Sequence, residues 1–260
     1  QPSTRRVEAR AVQGPGSGAM ADDSWDPLAD PSEVARADEE SRKEIWSAQA
    51  SASAAAPKQQ PPPLGRKIRI LGLHGSTSNS NVMRFQTLPL QKAFGAEAEW
   101  TFLDGGVPGP MAPDAMIKAL AKDKPLVSWY TVECEDTSER PYLDKLVDPS
   151  ITFTYDQVEE GAERVLEYIK TNGPFDILVG FSQGCIISHL LCGLLRERGE
   201  EVPWRLSVLF CGMRVRDNRY HRLFNAPLSQ PAVMVFAKAD EYYNYGRQSQ
   251  AEMYEEPVIL

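Results

Sequence analysis

A serine between two glycines stands out among the residues of this sequence that could do chemistry. The run is Gly180, Phe181, Ser182, Gln183 and Gly184, a GxSxG pattern. A serine hydroxyl in such a pattern can attack a carbonyl carbon when a nearby base takes its proton. Glycine and serine are common, so these five residues alone fit an ordinary strand-to-helix turn as well as a nucleophile.

The sequence around Ser182 favours the nucleophile. Residues 177–179 predict a buried strand and residues 185–198 an apolar helix, so the serine lies at a strand–turn–helix junction. A sharp turn there lifts the serine above the sheet, where side chains two positions to either side would collide. Gly180 and Gly184 avoid that collision, and the backbone N–H of Gln183 is placed to donate to an oxyanion.

A second oxyanion donor is expected in the loop after an early strand. Residues 67–73 predict the first strand, and His74, Gly75 and Ser76 follow it directly. We predict that the backbone N–H of Ser76 is this donor. A simple turn made by Gly75 is the alternative.

Asp240 is the natural acid for a catalytic triad. It follows a predicted strand over residues 232–237 and would therefore lie at the same carboxyl-terminal sheet edge as Ser182. A solvated loop carboxylate or a helix cap is the alternative interpretation, and Glu241 is the reserve candidate for the acid.

No histidine of the sequence has the expected position for the base. His74 comes too early, His189 lies on the helix after Ser182, and His221 precedes Asp240. Enzymes with this serine turn carry the serine, the acid and the histidine in that order. We therefore expect the histidine beyond Leu260, after a strand that starts at Pro257.

The rest of the chain predicts one α/β domain behind a tail. Residues 1–65 are poor in large aliphatic side chains and predict a disordered, low-complexity tail. In residues 66–260, short apolar runs alternate with amphipathic helices, which predicts a mostly parallel sheet flanked by helices. This domain is expected to be incomplete at its carboxyl end. Residues 104–152 predict a lid or binding loop, and Thr154 with Gln157 predicts a helix-starting capping box.

Composition excludes several classes of protein. The formal net charge is −8 and the basic residues are dispersed, so we expect no nucleic-acid partner. The four cysteines and three histidines lack metal-ligand spacing, and we expect no metal or other cofactor. No apolar run is long enough to span a membrane or to form a signal peptide. These features predict a protein of the cytoplasm that can also enter the nucleus. They do not predict its oligomeric state.

Several of these residues resemble the FSH-type serine hydrolases of the α/β-hydrolase superfamily. The resemblance covers residues 66–260 and rests on the GLHG run at residues 72–75, the GFSQG run, Ala239 with Asp240, and the aromatic pair Trp129 and Tyr130. It implies an α/β-hydrolase fold, with Ser182 as nucleophile and Asp240 as acid. The family's histidine, normally in a GH motif after the last strand, has no counterpart in these residues.

The resemblance also implies a substrate class. An acyl pocket shaped by His74, Trp129 and Tyr130, with Tyr142 nearby, predicts a small-molecule carboxylic ester or thioester as substrate. A catalytically inactive binding module that keeps the fold without the base is the main alternative. A nucleotide-binding loop is disfavoured because GLHG lacks the GxGxxG spacing.

Overall fold

The computed structural model describes residues 65–110, 112–113 and 115–260. The tail predicted for residues 1–65 lies, except for Gly65, outside the described residues. Residues Pro63–Leu260 group into one compact unit.

A six-stranded parallel sheet forms the centre of this unit. Its spatial order is β10-β9-β8-β7-β1-β2, and every neighbouring pair runs parallel. The strands, in chain order, are β1 (Ile68–Leu73), β2 (Ala98–Leu103), β7 (Ile177–Phe181), β8 (Leu206–Phe210), β9 (Ala232–Val235) and β10 (Val258–Ile259). This architecture, with helices on both faces, confirms the predicted α/β-hydrolase fold.

Seven α-helices accompany the sheet in the described part of the chain. They are α1 (Ser80–Gln86), α2 (Leu88–Phe94), α3 (Ala115–Ala121), α4 (Tyr142–Val147), α5 (Val158–Asn172), α6 (Gln183–Arg198) and α7 (Tyr243–Ala251), with 3₁₀ turns at Gly95–Glu97 and Asn218–Phe224. None of the described helices is both long and apolar enough to cross a membrane.

Helix α6 is buried almost all round because it is apolar on nearly every face. Its side chains from Cys185 to Leu195 lie in the larger of two cores, together with α5. The smaller core, built on Ile70, Met83 and Val179, lies on the other face of the sheet. The serine junction is thus anchored by a strand and a helix that are both deeply buried.

The segment of residues 104–152 is more regular than the loop that the sequence predicts. Besides α3 and α4 it contains β3 (Val107–Pro108) paired antiparallel with β4 (Val127–Ser128). It also supplies β5 (Thr131–Cys134), which pairs antiparallel with β6 (Phe153–Asp156). Two short antiparallel strand pairs, formed by segments distant in sequence, therefore replace the expected irregular connection.

The predicted capping box at Thr154 is wrong. Thr154 lies in β6, and α5 begins at Val158, preceded by Gln157 in a left-handed conformation with no side-chain cap. The backbone N–H of Tyr155 donates to the Asp217 carboxylate over 2.8 Å, which holds the segment extended. A tertiary contact here overrides a local helix signal.

Candidate active site

Ser182 occupies a strained turn between β7 and α6. Its backbone has φ 50° and ψ −111°, a region that residues with a side chain rarely adopt. Its N–H donates to the carbonyl of Phe210 at the end of β8 over 3.0 Å. The surrounding strands and helix hold the strain, as is common at functional sites.

The two flanking glycines are required by close backbone approaches. A Cβ on Gly180 would lie 2.9 Å from the backbone of Gly184 and from the Cys185 nitrogen. A Cβ on Gly184 would lie 2.4 Å from the carbonyl oxygen of Leu73, on the neighbouring strand β1. The structure therefore gives the GxSxG spacing a steric cause.

The loop after β1 lies directly against Ser182. A Cβ on Gly75 would be 3.3 Å from the Ser182 Cβ, so the loop that carries Ser76, the predicted oxyanion donor, packs on the serine turn. The Ser76 hydroxyl exchanges a 3.2 Å hydrogen bond with that of Ser128, which also accepts from the Thr77 N–H over 2.9 Å. This leaves the Ser76 backbone N–H, not its hydroxyl, as the candidate donor.

Gln183 contributes two different groups. Its backbone N–H lies in the first turn of α6, where a helix supplies no acceptor of its own. Its side-chain amide is buried, accepts from the Trp129 N–H and donates to the Tyr130 carbonyl, each over 3.2 Å. The sequence did not predict this side-chain role, which ties the serine turn to the end of β4.

Asp240 lies at the carboxyl-terminal sheet edge, in the loop after β9. It is half-buried, and its Oδ1 accepts from the Tyr242 N–H over 2.9 Å. Strand β8 separates β7 from β9, so the residue that follows β8, Cys211, lies between the Ser182 and Asp240 loops. Glu241, the reserve candidate, is exposed.

The thiol of Cys211 is a feature that the sequence prediction missed. Burial, followed by its hydrogen bond with Asp240, raises the pKa of Cys211 to about 11. Like Ser182 it has a positive φ, 48°. Its place directly after a strand is the same signal that identified Asp240, and could have revealed it.

Two of the three histidines are held in the core by their own partners. His189 is fully buried against Tyr254 and Gln250, with ring hydrogen bonds of 2.9 and 3.2 Å, and burial lowers its pKa to about 3. Both ring nitrogens of His74 bond to backbone groups of Gly75 and Gly105. Neither imidazole is therefore available as a base in this arrangement.

His221, the third histidine, is half-buried in the 3₁₀ turn after β8. Burial, then the charges of Arg214 and Arg216, lowers its pKa. Its Nε2 makes no hydrogen bond within the described part of the chain.

The side chains predicted to line an acyl pocket are buried in the structure. His74 and Trp129 are 0% exposed and Tyr130 is 2% exposed, so these side chains do not face an open pocket. They support the backbone instead: the Trp129 indole N–H donates to the His74 carbonyl over 2.8 Å. Tyr142, 43% exposed and 6.4 Å from the Tyr242 ring, is the accessible aromatic side chain near the Asp240 loop.

Comparison with known proteins identifies the family of this chain. The family described as serine hydrolase (FSH1) matches residues 64–258. The chain belongs to this family. Among curated relatives of this serine hydrolase are the human esterase OVCA2, 28% identical over 68% of this chain and 78% of the relative, and the fungal hydrolase phiM, 27% identical over 71% and 78%.

Solved structures similar to this serine hydrolase include the acyl-protein thioesterase 2 of Zea mays. It is 18% identical, with a TM-score of 0.46 over 79% of this chain and 86% of that chain. No group of three or more His, Cys, Asp or Glu within residues 65–110, 112–113 and 115–260 could hold a metal ion.

Proposed function

We propose that this serine hydrolase cleaves carboxylic esters or thioesters through an acyl-enzyme on Ser182. The observation that carries the proposal is the left-handed backbone of Ser182, held between two sterically required glycines and facing the Gly75 loop. Membership of the serine hydrolase family supports it.

In the proposed reaction, the Ser182 oxygen bonds to the carbonyl carbon of the substrate while its proton passes to a base. The carbonyl oxygen becomes an oxyanion that accepts from the N–H groups of Ser76 and Gln183. The intermediate then expels the alcohol or thiol, which takes up the proton. Water repeats the sequence on the acyl-enzyme, releases the acid and restores Ser182.

Asp240 is proposed to orient the base, as the acid does in serine hydrolases. The order serine, acid, histidine places that base after β10. Residues 65–260 contain no histidine after Asp240, so the base is the one role in this proposal without an assigned residue. The test must therefore supply a base from outside.

The acyl group is proposed to lie against the aromatic side chains beside Asp240. Tyr142 is accessible and packs edge-on against Tyr242 and Phe153. Flat apolar rings of this kind suit an alkyl or aryl acyl group rather than a peptide.

A fluorophosphonate probe tests the nucleophile, because it phosphonylates an activated serine with loss of fluoride. We expect mass spectrometry to find the label on Ser182, and free imidazole to speed labelling by about 10-fold or more as an external base. Ser182→Ala should not label. Ser76→Ala, which keeps the backbone N–H, should label within about three-fold of the wild type.

Equal labelling of Ser182→Ala would overturn the proposal. The second candidate function is ligand binding without catalysis, supported by His74 and His189, whose ring nitrogens are bonded to other groups of the protein. It predicts that an ester analogue binds, with Ser182 unlabelled even at high imidazole.

A further inference from the structure

The imidazole of His74 bridges a backbone group of the loop after β1, here called the oxyanion loop, and one of the loop after β2. Its Nδ1 lies 2.6 Å from the carbonyl oxygen of Gly75, and its Nε2 lies 3.0 Å from the Gly105 nitrogen. The ring is 0% exposed and packs 5.1 Å from the Trp129 ring. Water therefore does not compete for either bond.

These two partners fix which nitrogen carries the proton. A carbonyl oxygen only accepts, so Nδ1 must be the N–H that donates to Gly75. A backbone N–H only donates, so Nε2 must be the unprotonated nitrogen that accepts from Gly105. His74 is thus the neutral Nδ1–H tautomer, in accord with the lowering of its pKa by burial.

The carbonyl that His74 contacts belongs to a particular peptide group. The C=O of Gly75 and the N–H of Ser76 are the two ends of one planar peptide unit. A donor on the carbonyl fixes the plane of that unit and polarises its N–H, since hydrogen bonds in a chain strengthen one another. The imidazole therefore acts at one end of the unit whose other end is the proposed oxyanion donor.

We propose that His74 is a positioning residue for the oxyanion hole, which orients and polarises the Ser76 N–H through the Gly75–Ser76 peptide group. The inference rests on the proposed function, since it assumes that Ser76 N–H binds an oxyanion. We call this chain of hydrogen bonds the relay. In it the Gly105 N–H donates to Nε2, the Nδ1–H donates to the Gly75 carbonyl, and the Ser76 N–H donates to the oxyanion of the substrate.

The neighbouring peptide groups are tethered as well, so the central one has little freedom of its own. The carbonyl of His74 accepts from the Trp129 indole over 2.8 Å, and the Thr77 N–H donates to the Ser128 hydroxyl over 2.9 Å. His74 acts on the unit between these two tethers. A small rotation of that unit would swing its N–H away from the oxyanion.

Two amide substitutions separate the two bonds of the ring. In His74→Asn, the side-chain NH₂ reaches the position of Nδ1 and can still donate to Gly75. In His74→Gln, the amide reaches the position of Nε2, so its oxygen can accept from Gly105 while the Gly75 bond is lost. His74→Leu removes both bonds.

The measurement is the first-order rate of fluorophosphonate labelling at saturating probe, together with the half-saturating probe concentration, at fixed imidazole. We expect His74→Gln and His74→Leu to slow the rate about 10- to 100-fold, because a misplaced donor loses much of its effect. The half-saturating concentration should change little. His74→Asn should stay within about three-fold of wild type.

Each outcome decides for or against the proposed role of His74. Fast labelling of His74→Gln with slow labelling of His74→Asn would show that only the Gly105 bond matters, and would overturn the relay. Equal rates in all three variants would overturn it too. If His74→Leu fails to fold, the Asn and Gln pair still decides. Failure of the wild type to label at Ser182 would instead refute the proposed function, and the inference with it.

Discussion

The two halves of the site are built with different degrees of constraint. The proposed oxyanion half (residues 73–78, 128–130 and 180–184) is mostly buried, with Ser76, Phe181 and Ser182 half-buried, and is tied by hydrogen bonds across three segments. In the acid half (residues 236–242 with Cys211), Ala237, Lys238 and Ala239 are exposed and Asp240 is only half-buried. Stabilising the charge of an oxyanion requires hydrogen-bond donors that are fixed before the reaction. The acid only has to stay bonded to the base that it orients.

The largest expected effect is from Gly184→Ala, in the oxyanion half. The new methyl group would lie 2.4 Å from the Leu73 carbonyl oxygen, a backbone atom that cannot move aside by a side-chain rotation. We expect the free energy of unfolding to fall by about 3 kcal/mol or more, measured by urea denaturation.

Gly106→Ala is the matched control for that substitution. Its methyl group would meet nothing nearer than the Arg164 guanidinium at 3.8 Å, so the free energy of unfolding should change by no more than about 0.5 kcal/mol. Equal losses for the two variants would contradict the steric account of the serine turn.

An intermediate effect is expected from Gln183→Met, which keeps the length of the side chain and removes its amide. The buried Trp129 N–H and Tyr130 carbonyl would each lose a partner. We expect about 2 kcal/mol of lost stability and slower fluorophosphonate labelling, since the Gln183 N–H is no longer held against β4. A variant with unchanged labelling would show that the amide only stabilises the fold.

The smallest effect on stability is expected from Asp240→Asn, in the acid half. The amide oxygen can still accept from the Tyr242 N–H, so the free energy of unfolding should stay within about 0.5 kcal/mol of wild type. A loss as large as that of Gln183→Met would erase the contrast between the halves.

The same variant should change the chemistry of Cys211. Burial and the Asp240 carboxylate raise the pKa of this thiol to about 11, so removing the carboxylate charge should lower that pKa. More thiolate at pH 9 would speed alkylation of Cys211 by roughly three- to ten-fold. Peptide mapping follows the reaction, with Cys134 as the internal control that should not change.

Short-range patterns predicted much of the fold and the core of the site. The strands that the sequence predicts at residues 67–73, 177–179 and 232–237 are present, with ends that differ by one or two residues. The serine turn was readable because its strand, glycines and helix follow one another within 25 residues. The alternation of short apolar runs with amphipathic helices predicts the parallel sheet and therefore its carboxyl-terminal edge.

The errors fall where distant segments meet. Phe153–Asp156 resembles a helix start, yet it pairs with Thr131–Cys134 as a strand. Its alternation of aromatic and polar residues, Phe, Thr, Tyr and Asp, was the sequence signal that could have shown this. The sequence also predicts Trp129 and Tyr130 as pocket residues, and no local pattern shows that the Trp129 indole donates to the carbonyl of His74, 55 positions away.

The bonds that brace the oxyanion loop also bear on how the chain reaches its native state. They join residues far apart in sequence, from 31 positions between His74 and Gly105 to 55 between His74 and Trp129. Helix α6 can form from local contacts, whereas these closures must wait for distant parts of the chain to meet. We therefore expect the proposed oxyanion hole to be completed late in folding, after helix α6, which begins at Gln183, has formed.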